Sequence, residues 1–317
     1  FGLGALVDAP ALPAVLPTTL TSPICLRQPG LPLRLSAMTG DQQAALIGLG
    51  CRADGAITIN YGSGAFVLIS TGERLVRVPG LLTTLLASWR GDRAGARPTV
   101  CYAVEGPVNA AATAIDWARK RLRLRLRIAD LDRYVDGDRG PPRRVYFLPA
   151  VAGLGAPRWD PEARPRFTGD LRRAGPRDLV RAVVESIAFR CAEIVRTATP
   201  GGMPASPPSP ARPAGRGPAA SRGEPRGAPI LAAGGLTRCR TLLQTQADLL
   251  RRPIVVRETP DATGLGAALL TRNPSGWWGR DDAVSERLSV LPRISRDEAD
   301  ARYAAWVKAV YGPEGSR

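Results

Sequence analysis

An α/β layer architecture is the fold class this sequence predicts, and three observations carry the prediction. Short β-branched runs at residues 145–148, 230–233 and 253–256 alternate with longer segments of helical spacing. Glycine-rich turns, Gly62-Ser63-Gly64 and Gly234-Gly235, stand where such strands end. The 317 residues, 44% of them apolar, are enough for a sizeable core.

The elements follow in order. Residues 1–36 are rich in Pro, Leu and Thr with no sustained period, and read as loops and short strands. Gly40-Asp41-Gln42-Gln43-Ala44-Ala45-Leu46 starts a helix, with the Asp41 charge facing its positive end. Residues 56–70 pair as a hairpin about Gly62-Ser63-Gly64. Val108, Ala112, Ile115, Ala118 and Leu122 have helical spacing, with Trp117 on the flank. The strict Arg/Leu alternation of residues 119–127 predicts a half-buried strand or a helix end with one solvated face. Residues 145–148 form a short buried strand. Leu179, Ala182, Val183, Ile187 and Ile194 mark an amphipathic helix over 178–195, and Pro176 is its start signal. Residues 199–229 hold Pro, Gly, Ala, Ser and Arg with almost nothing to bury, and read as a disordered insertion. Strand 230–233, helix 240–250, strand 253–256, a helix after Thr263 and a last helix near 296–310 complete the chain.

Composition excludes several chemistries. There is no histidine, so neither a Ser-His-Asp triad nor His-ligated zinc can form within this chain. Cys25, Cys51, Cys101, Cys191 and Cys239 are dispersed without a C-x-x-C pair, which predicts free thiols in a reducing cytosol. No run approaches the ~20 apolar residues of a membrane helix, and the start is not a signal peptide. The expected location is the cytoplasm. The net charge of +16 invites a nucleic-acid reading. Only Lys120 and Lys308 among the 44 basic residues are lysine, however, which points to codon bias and not to selection for charge. No aromatic interleaves residues 119–127 to stack a base. Neither a nucleic-acid partner nor a membrane partner is expected.

Candidate chemistry sits in a few places. A lone Asp41 is first of all a helix cap, and a lone G-S-G is first of all a hairpin turn. Read together, they offer a carboxylate beside the Gln42 carboxamide, and two glycines that free the backbone to approach a phosphate. The amides of that turn and the Ser63 hydroxyl would form an anion nest. Gln43 would diverge from its neighbour. Gly234-Gly235, between a strand and a helix, lies where nucleotides meet helix starts. Gly264-x-Gly266 lacks a third glycine and reads as close helix packing.

Seven segments in one order resemble the FGGY carbohydrate kinases. Gly40 to Leu46 is similar to GDQQAAL, and Tyr61-Gly62-Ser63-Gly64 to YGTG, followed by Gly80-Leu81-Leu82-Thr83-Thr84. Tyr102-Ala103-Val104-Glu105-Gly106 is similar to YALEG. The segment from Gly153 through Ala156-Pro157-Arg158-Trp159-Asp160 to Arg164 is similar to GLGAPYWDPxAR, which marks the glycerol-phosphorylating branch. Gly234-Gly235 with Gln246-Ala247-Asp248-Leu249-Leu250, and Gly264-Leu265-Gly266-Ala267-Ala268, complete the series over roughly 230 residues.

The resemblance implies an actin-like ATPase, ribonuclease-H-like fold and ATP-dependent phosphoryl transfer to a small polyol, glycerol before others. It implies ATP or ADP and Mg2+ as cofactors, and admits a homo-oligomer. Asp41 is then the general base, reaching the metal only through its water shell, and Asp41 with Gln42 binds the polyol. Gly62, Ser63, Gly64, Ala112, Asp116, Gly234, Gly235 and Cys239 are placed at the nucleotide. The chain departs from the family pattern at several positions, with Ala112 and Asp116 where Gly and Gln stand, Ala233 where the Asp of Asp-Gly-Gly stands, Cys239-Arg240 where an Asn pair stands, and Ser63 where Thr stands. Asp116 would repel phosphate unless an Arg or a metal offsets it. Residues 1–45 correspond to the tail of the N-terminal domain, and 46–317 to the C-terminal, nucleotide-binding domain. The chain therefore reads as the C-terminal part of a kinase with most of its N-terminal lobe missing. The alternative is a degenerate paralogue that only binds nucleotide or a partner.

Overall fold

The computed structural model describes residues 16–26, 33–50, 54–89, 97–136, 144–199, 228–257, 259, 261–272 and 286–312. Strands β1 (Thr19–Leu26) and β2 (Leu33–Ala37) pair antiparallel as a separate ribbon, which Thr18 ties to Ser88 through its amide at 2.9 Å. Helix α1 (Asp41–Gly48) follows, then β3 (Ile57–Tyr61) and β4 (Ala65–Gly72), the hairpin expected about Gly62-Ser63-Gly64. Next come β5 (Leu82–Trp89), β6 (Thr99–Val108), α2 (Ala112–Arg121) and α3 (Leu131–Asp136). Strands β7 (Val145–Leu148) and β8 (Arg166–Gly169) form a second ribbon. The chain continues through α4 (Pro176–Ala198), β9 (Ile230–Ala233), α5 (Arg240–Leu250), β10 (Ile254–Arg257), α6 (Ala262–Arg272), β11 (Glu286–Val290) and α7 (Arg296–Tyr311).

Seven strands make one mixed sheet in the order β11-β10-β9-β3-β4-β6-β5, with β10, β9 and β3 parallel and the remaining pairs antiparallel. Alternate residues of each strand face opposite layers. Ile57, Ile59, Val67 and Ile69 meet α2, α4, α5 and α7, while Leu68, Ala103, Leu231 and Val255 meet α1 and α6. Helix α4 is buried along most of its 23 residues and is the spine of the larger layer. Gly48 and Gly266 let α1 and α6 touch backbone to backbone, since a Cβ on Gly266 would stand 1.8 Å from the Ala44 carbonyl oxygen. That close contact is the role expected of Gly264-x-Gly266.

Some expectations need correction. The helix expected from Val108 begins at Ala112, because Val108 is the last residue of β6 and pairs with Ala65. Both elements feed one core, so Val108 matched the helical spacing by accident. Residues 122–127 are neither helix nor strand, yet Leu126 is buried and the intervening arginines are exposed, so the alternation reports burial without pairing. Strands β5 and β6, an antiparallel pair inside the main sheet, were not expected as strands. Residues 200–227, most of the expected insertion, lie outside the described residues, as does Cys51. Among the described residues no helix is long and apolar enough to cross a membrane.

Candidate functional site

The parallel strands define the site, because ligands of open α/β sheets collect beyond the strands' carboxyl ends. Gly62-Ser63-Gly64 leaves the end of β3, and Gly234 leaves the end of the adjacent β9, with Asn60 opposite Ala233 in the register. The two turns touch: a Cβ on Gly234, whose φ is +96°, would lie 2.2 Å from the Tyr61 carbonyl oxygen. Only glycine fits there. The start of α2 docks on the first turn, as the amides of Ala111 and Thr113 donate to the Ser63 carbonyl at 2.8 and 3.1 Å. Ala112 N donates to Gly62 O at 3.2 Å. The structure thus brings Gly62, Ser63, Gly64, Ala112, Gly234 and Gly235 to one edge, with the Ser63 side chain exposed.

Asp41 reaches this edge from the other layer. It is exposed at the first turn of α1, where Oδ1 accepts from the Gln42 amide at 2.8 Å and Oδ2 from Gln42 Nε2 at 3.5 Å. Thr263, at the start of α6, donates its hydroxyl to the Asp41 carbonyl at 3.4 Å. Because α6 begins just after β10, that bond sets Asp41 at the carboxyl end of the parallel strands. Gln43 diverges as expected and donates to Thr84 Oγ at 2.9 Å on β5.

One neighbour escaped the sequence reading. Glu105 on β6 shares the α1 side of the sheet with Ala103, and its carboxyl is pushed up, first by burial and then by the charge of Asp41. The sequence reading had it only as part of the YALEG-like segment Tyr102 to Gly106, with no role of its own.

The residues expected beside the nucleotide on α2 and α5 are disposed unequally. Asp116 lies one turn beyond Ala112 on the exposed face of α2, and Arg119 Nη1 offsets its charge at 2.9 Å. Cys239 is buried, and its Sγ donates to Asp132 Oδ1 at 3.4 Å; burial, helped by Asp132, pushes the thiol up to about 12. Asp132 also accepts from the Arg240 and Thr241 amides at 2.8 and 2.9 Å. The start of α5, expected to face a ligand, is therefore capped by a side chain from α3.

The residues from Gly153 to Asp160 support the edge from below. Fully buried Arg190 on α4 donates to the carbonyls of Gly155 and Ala156 and pairs with Glu193, which also takes Arg158 Nε at 2.7 Å. Trp159 Nε1 donates to the Gly80 carbonyl at 2.7 Å. Gly155 has no room for a Cβ, which would sit 2.4 Å from Pro107 O.

Comparison with known proteins identifies the family to which the chain belongs. The family profile described as the C-terminal domain of the FGGY family of carbohydrate kinases matches residues 57–272. A glycerol kinase of Alkalilimnicola ehrlichii is 36% identical over 96% of this chain and 57% of its own length. One of Aeromonas hydrophila is 32% identical over 94% of the chain and 55% of its own. The chain thus spans about half the length of the curated relatives it matches. Among solved structures, Plasmodium falciparum glycerol kinase with ADP has a TM-score of 0.68 at 26% identity, covering 89% of this chain and 51% of that one. Xylulose kinase from Rhodospirillum rubrum reaches 0.70 at 19% identity, over 99% and 60%, a likeness of fold.

Proposed function

The chain belongs to the FGGY family of carbohydrate kinases and has their actin-like ATPase fold, and from that premise we propose that it forms the nucleotide-binding part of an ATP-dependent polyol kinase acting on glycerol. One observation carries the reading. An exposed carboxylate, Asp41, stands at the same sheet edge as two adjoining glycine turns that leave parallel strands. Phosphoryl transfer to an alcohol asks a protein for little else, namely a base for the hydroxyl proton and donors around the phosphoryl oxygens.

Asp41 accepts the proton of the polyol's terminal hydroxyl, its carboxylate steadied by the Gln42 amide. Gln42, whose carboxamide both donates and accepts, holds a neighbouring hydroxyl. Ser63 and the backbone of residues 62–64 grip the phosphoryl end of the nucleotide. The turn at Gly234-Gly235 takes the nucleoside, with space above Gly235, where a Cβ would meet nothing within 4 Å. Ala112 and Asp116 face the same ligand from α2.

The donor set also fits Mg2+. This ion binds through phosphates, waters and one or two carboxylates, and Asp41 presents one exposed carboxylate at the edge. Asp41 would reach its water shell, and the ion, when bound, neutralises phosphate charge. In this reading residues 1–45 close a preceding domain, residues 46–317 form the nucleotide lobe, and the enzyme works in the cytoplasm without nucleic acid.

A second reading, a paralogue that binds nucleotide without turnover, draws on Cys239, whose thiol is turned inward to Asp132. ADP release, measured with and without glycerol, separates the two. The chain joined to the N-terminal half of a relative should consume ATP in a glycerol-dependent manner, and the 317-residue chain alone should not. Nucleotide binding by the joined protein with no polyol-dependent turnover would favour the second reading.

A further inference from the structure

A polar pair lies inside the larger core layer, between β3 and α5. The Tyr61 hydroxyl donates to Gln246 Oε1 at 3.0 Å across 185 residues of sequence, and both residues are fully buried. Burial, with Cys191 beside it, holds the Tyr61 phenol well above its usual value, so the group stays protonated and donates. Gln246 Nε2 has no hydrogen-bond partner among the described residues. Such a pair is a poor source of stability. Two apolar groups of the same shape would serve as well, and the idle amide nitrogen is itself costly.

The place of the pair in the chain gives it another use. Tyr61 is the last residue of β3, so the Gly62-Ser63-Gly64 turn starts at the next residue. Its carbonyl closes on Gly234 so tightly that a Cβ there would stand 2.2 Å from the oxygen. From Gly234 the chain makes one tight turn over Gly235–Arg238, fastened by Thr237, whose hydroxyl donates to the Gly234 carbonyl at 2.8 Å. Helix α5 follows at once and carries Gln246 less than two turns along. Tyr61 therefore holds the second glycine turn twice, by its carbonyl at the turn itself and by its hydroxyl through the helix that the turn enters.

We propose that Tyr61 and Gln246 are positioning residues for the nucleotide, a buried strut that fixes the spacing of the Gly62-Ser63-Gly64 and Gly234-Gly235 turns. Neither side chain touches the ligand. A nucleotide whose phosphates sit on one turn and whose nucleoside sits on the other needs both at one separation. A directional hydrogen bond sets that separation where apolar packing would allow a slide. This role rests on the reading of the edge as a nucleotide site and adds what keeps that site in shape.

Three variants test it: Tyr61→Phe, Gln246→Leu and the two combined. Each single change strands a buried polar group and should lower the Tm of the full chain by roughly 2–6 °C. The double variant strands none, and its Tm should return close to the parent value. Its affinity for ADP, measured by isothermal titration calorimetry, should nevertheless be about tenfold weaker than the parent's. In the chain joined to the N-terminal half of a relative, KM for ATP should rise in step while KM for glycerol holds, since Asp41 and Gln42 lie on α1 across the sheet. A pair that only stabilised the core would give ADP binding that recovers with the Tm. Parent-level ADP affinity in the double variant would therefore overturn the proposal, as would equal rises in KM for ATP and glycerol. Should the double variant not fold, Tyr61→Phe alone, read well below its Tm, carries the same expectation and the same refutation. Absence of ADP binding by the parent in both forms would sink the nucleotide reading and this role with it, whereas ADP binding that none of the variants alters sinks the role alone.

Discussion

Asp41 and Glu105 show how two carboxylates acquire different characters from their places on the same face of a sheet. Asp41 is exposed at a helix start, where its Oδ1 accepts from the Gln42 amide. Glu105 is half-buried on β6 with the Asp41 charge nearby, and both conditions disfavour ionisation, burial the more. An acid whose folded value is raised binds more protons folded than unfolded, so its contribution to stability falls as pH rises through that window. Glu105→Gln removes the effect. The variant should be the more thermostable at pH 7, and the advantage should shrink as pH falls below about 4, where both states of Glu105 become protonated. Melting curves across pH check this, and an advantage that does not change with pH would count against it. Glu105 stayed hidden in the sequence because its significance is tertiary: nothing local announces that residue 105 and residue 41 face each other.

At the scale of elements, legibility followed the strength of local signals. Helix α4 was readable from Pro176 and a long apolar stripe. Helix α5 has its expected bounds, Arg240–Leu250, although eight of its 11 positions are buried and they do not mark a single face. The β3–β4 hairpin announced itself through its glycine turn. Strands β5 and β6 did not, since Thr, Ser, Pro and Glu interrupt the period that marks a strand, and their pairing is made only by the sheet. The candidate site was legible as a set of turns, but not the cap that Asp132 places on α5, which comes from 108 residues away in sequence. The Gly264-x-Gly266 pair offers a test of packing against ligand binding. A methyl at Gly266 would meet Ala44 backbone, whereas one at Gly264 meets the Asp261 side chain, which can move. Gly266→Ala should therefore lose about 1–3 kcal/mol of stability by forcing α1 from α6, and Gly264→Ala markedly less. Urea unfolding of the pair measures the difference, and equal losses would contradict a packing role.

Over the whole molecule, a mixed sheet separates two layers of helices and delivers one residue set from each to a common edge. The glycine turns proposed for the nucleotide come with β3, β9 and α2, and Asp41 comes with α1 across the sheet. Away from that edge, Arg123, Arg125 and Arg127 are exposed along an irregular segment after α2. The account's central claim is that Asp41 is the base at this edge. In a kinase carrying this chain together with the N-terminal half of a relative, kcat with glycerol should fall by roughly 10²- to 10⁴-fold on Asp41→Asn. The asparagine keeps the shape and the hydrogen-bonding reach of the side chain and loses its basicity, while ADP binding to residues 62–64 and 234–235 should be unchanged. An Asp41→Asn enzyme that keeps near-normal turnover with glycerol would contradict the assignment.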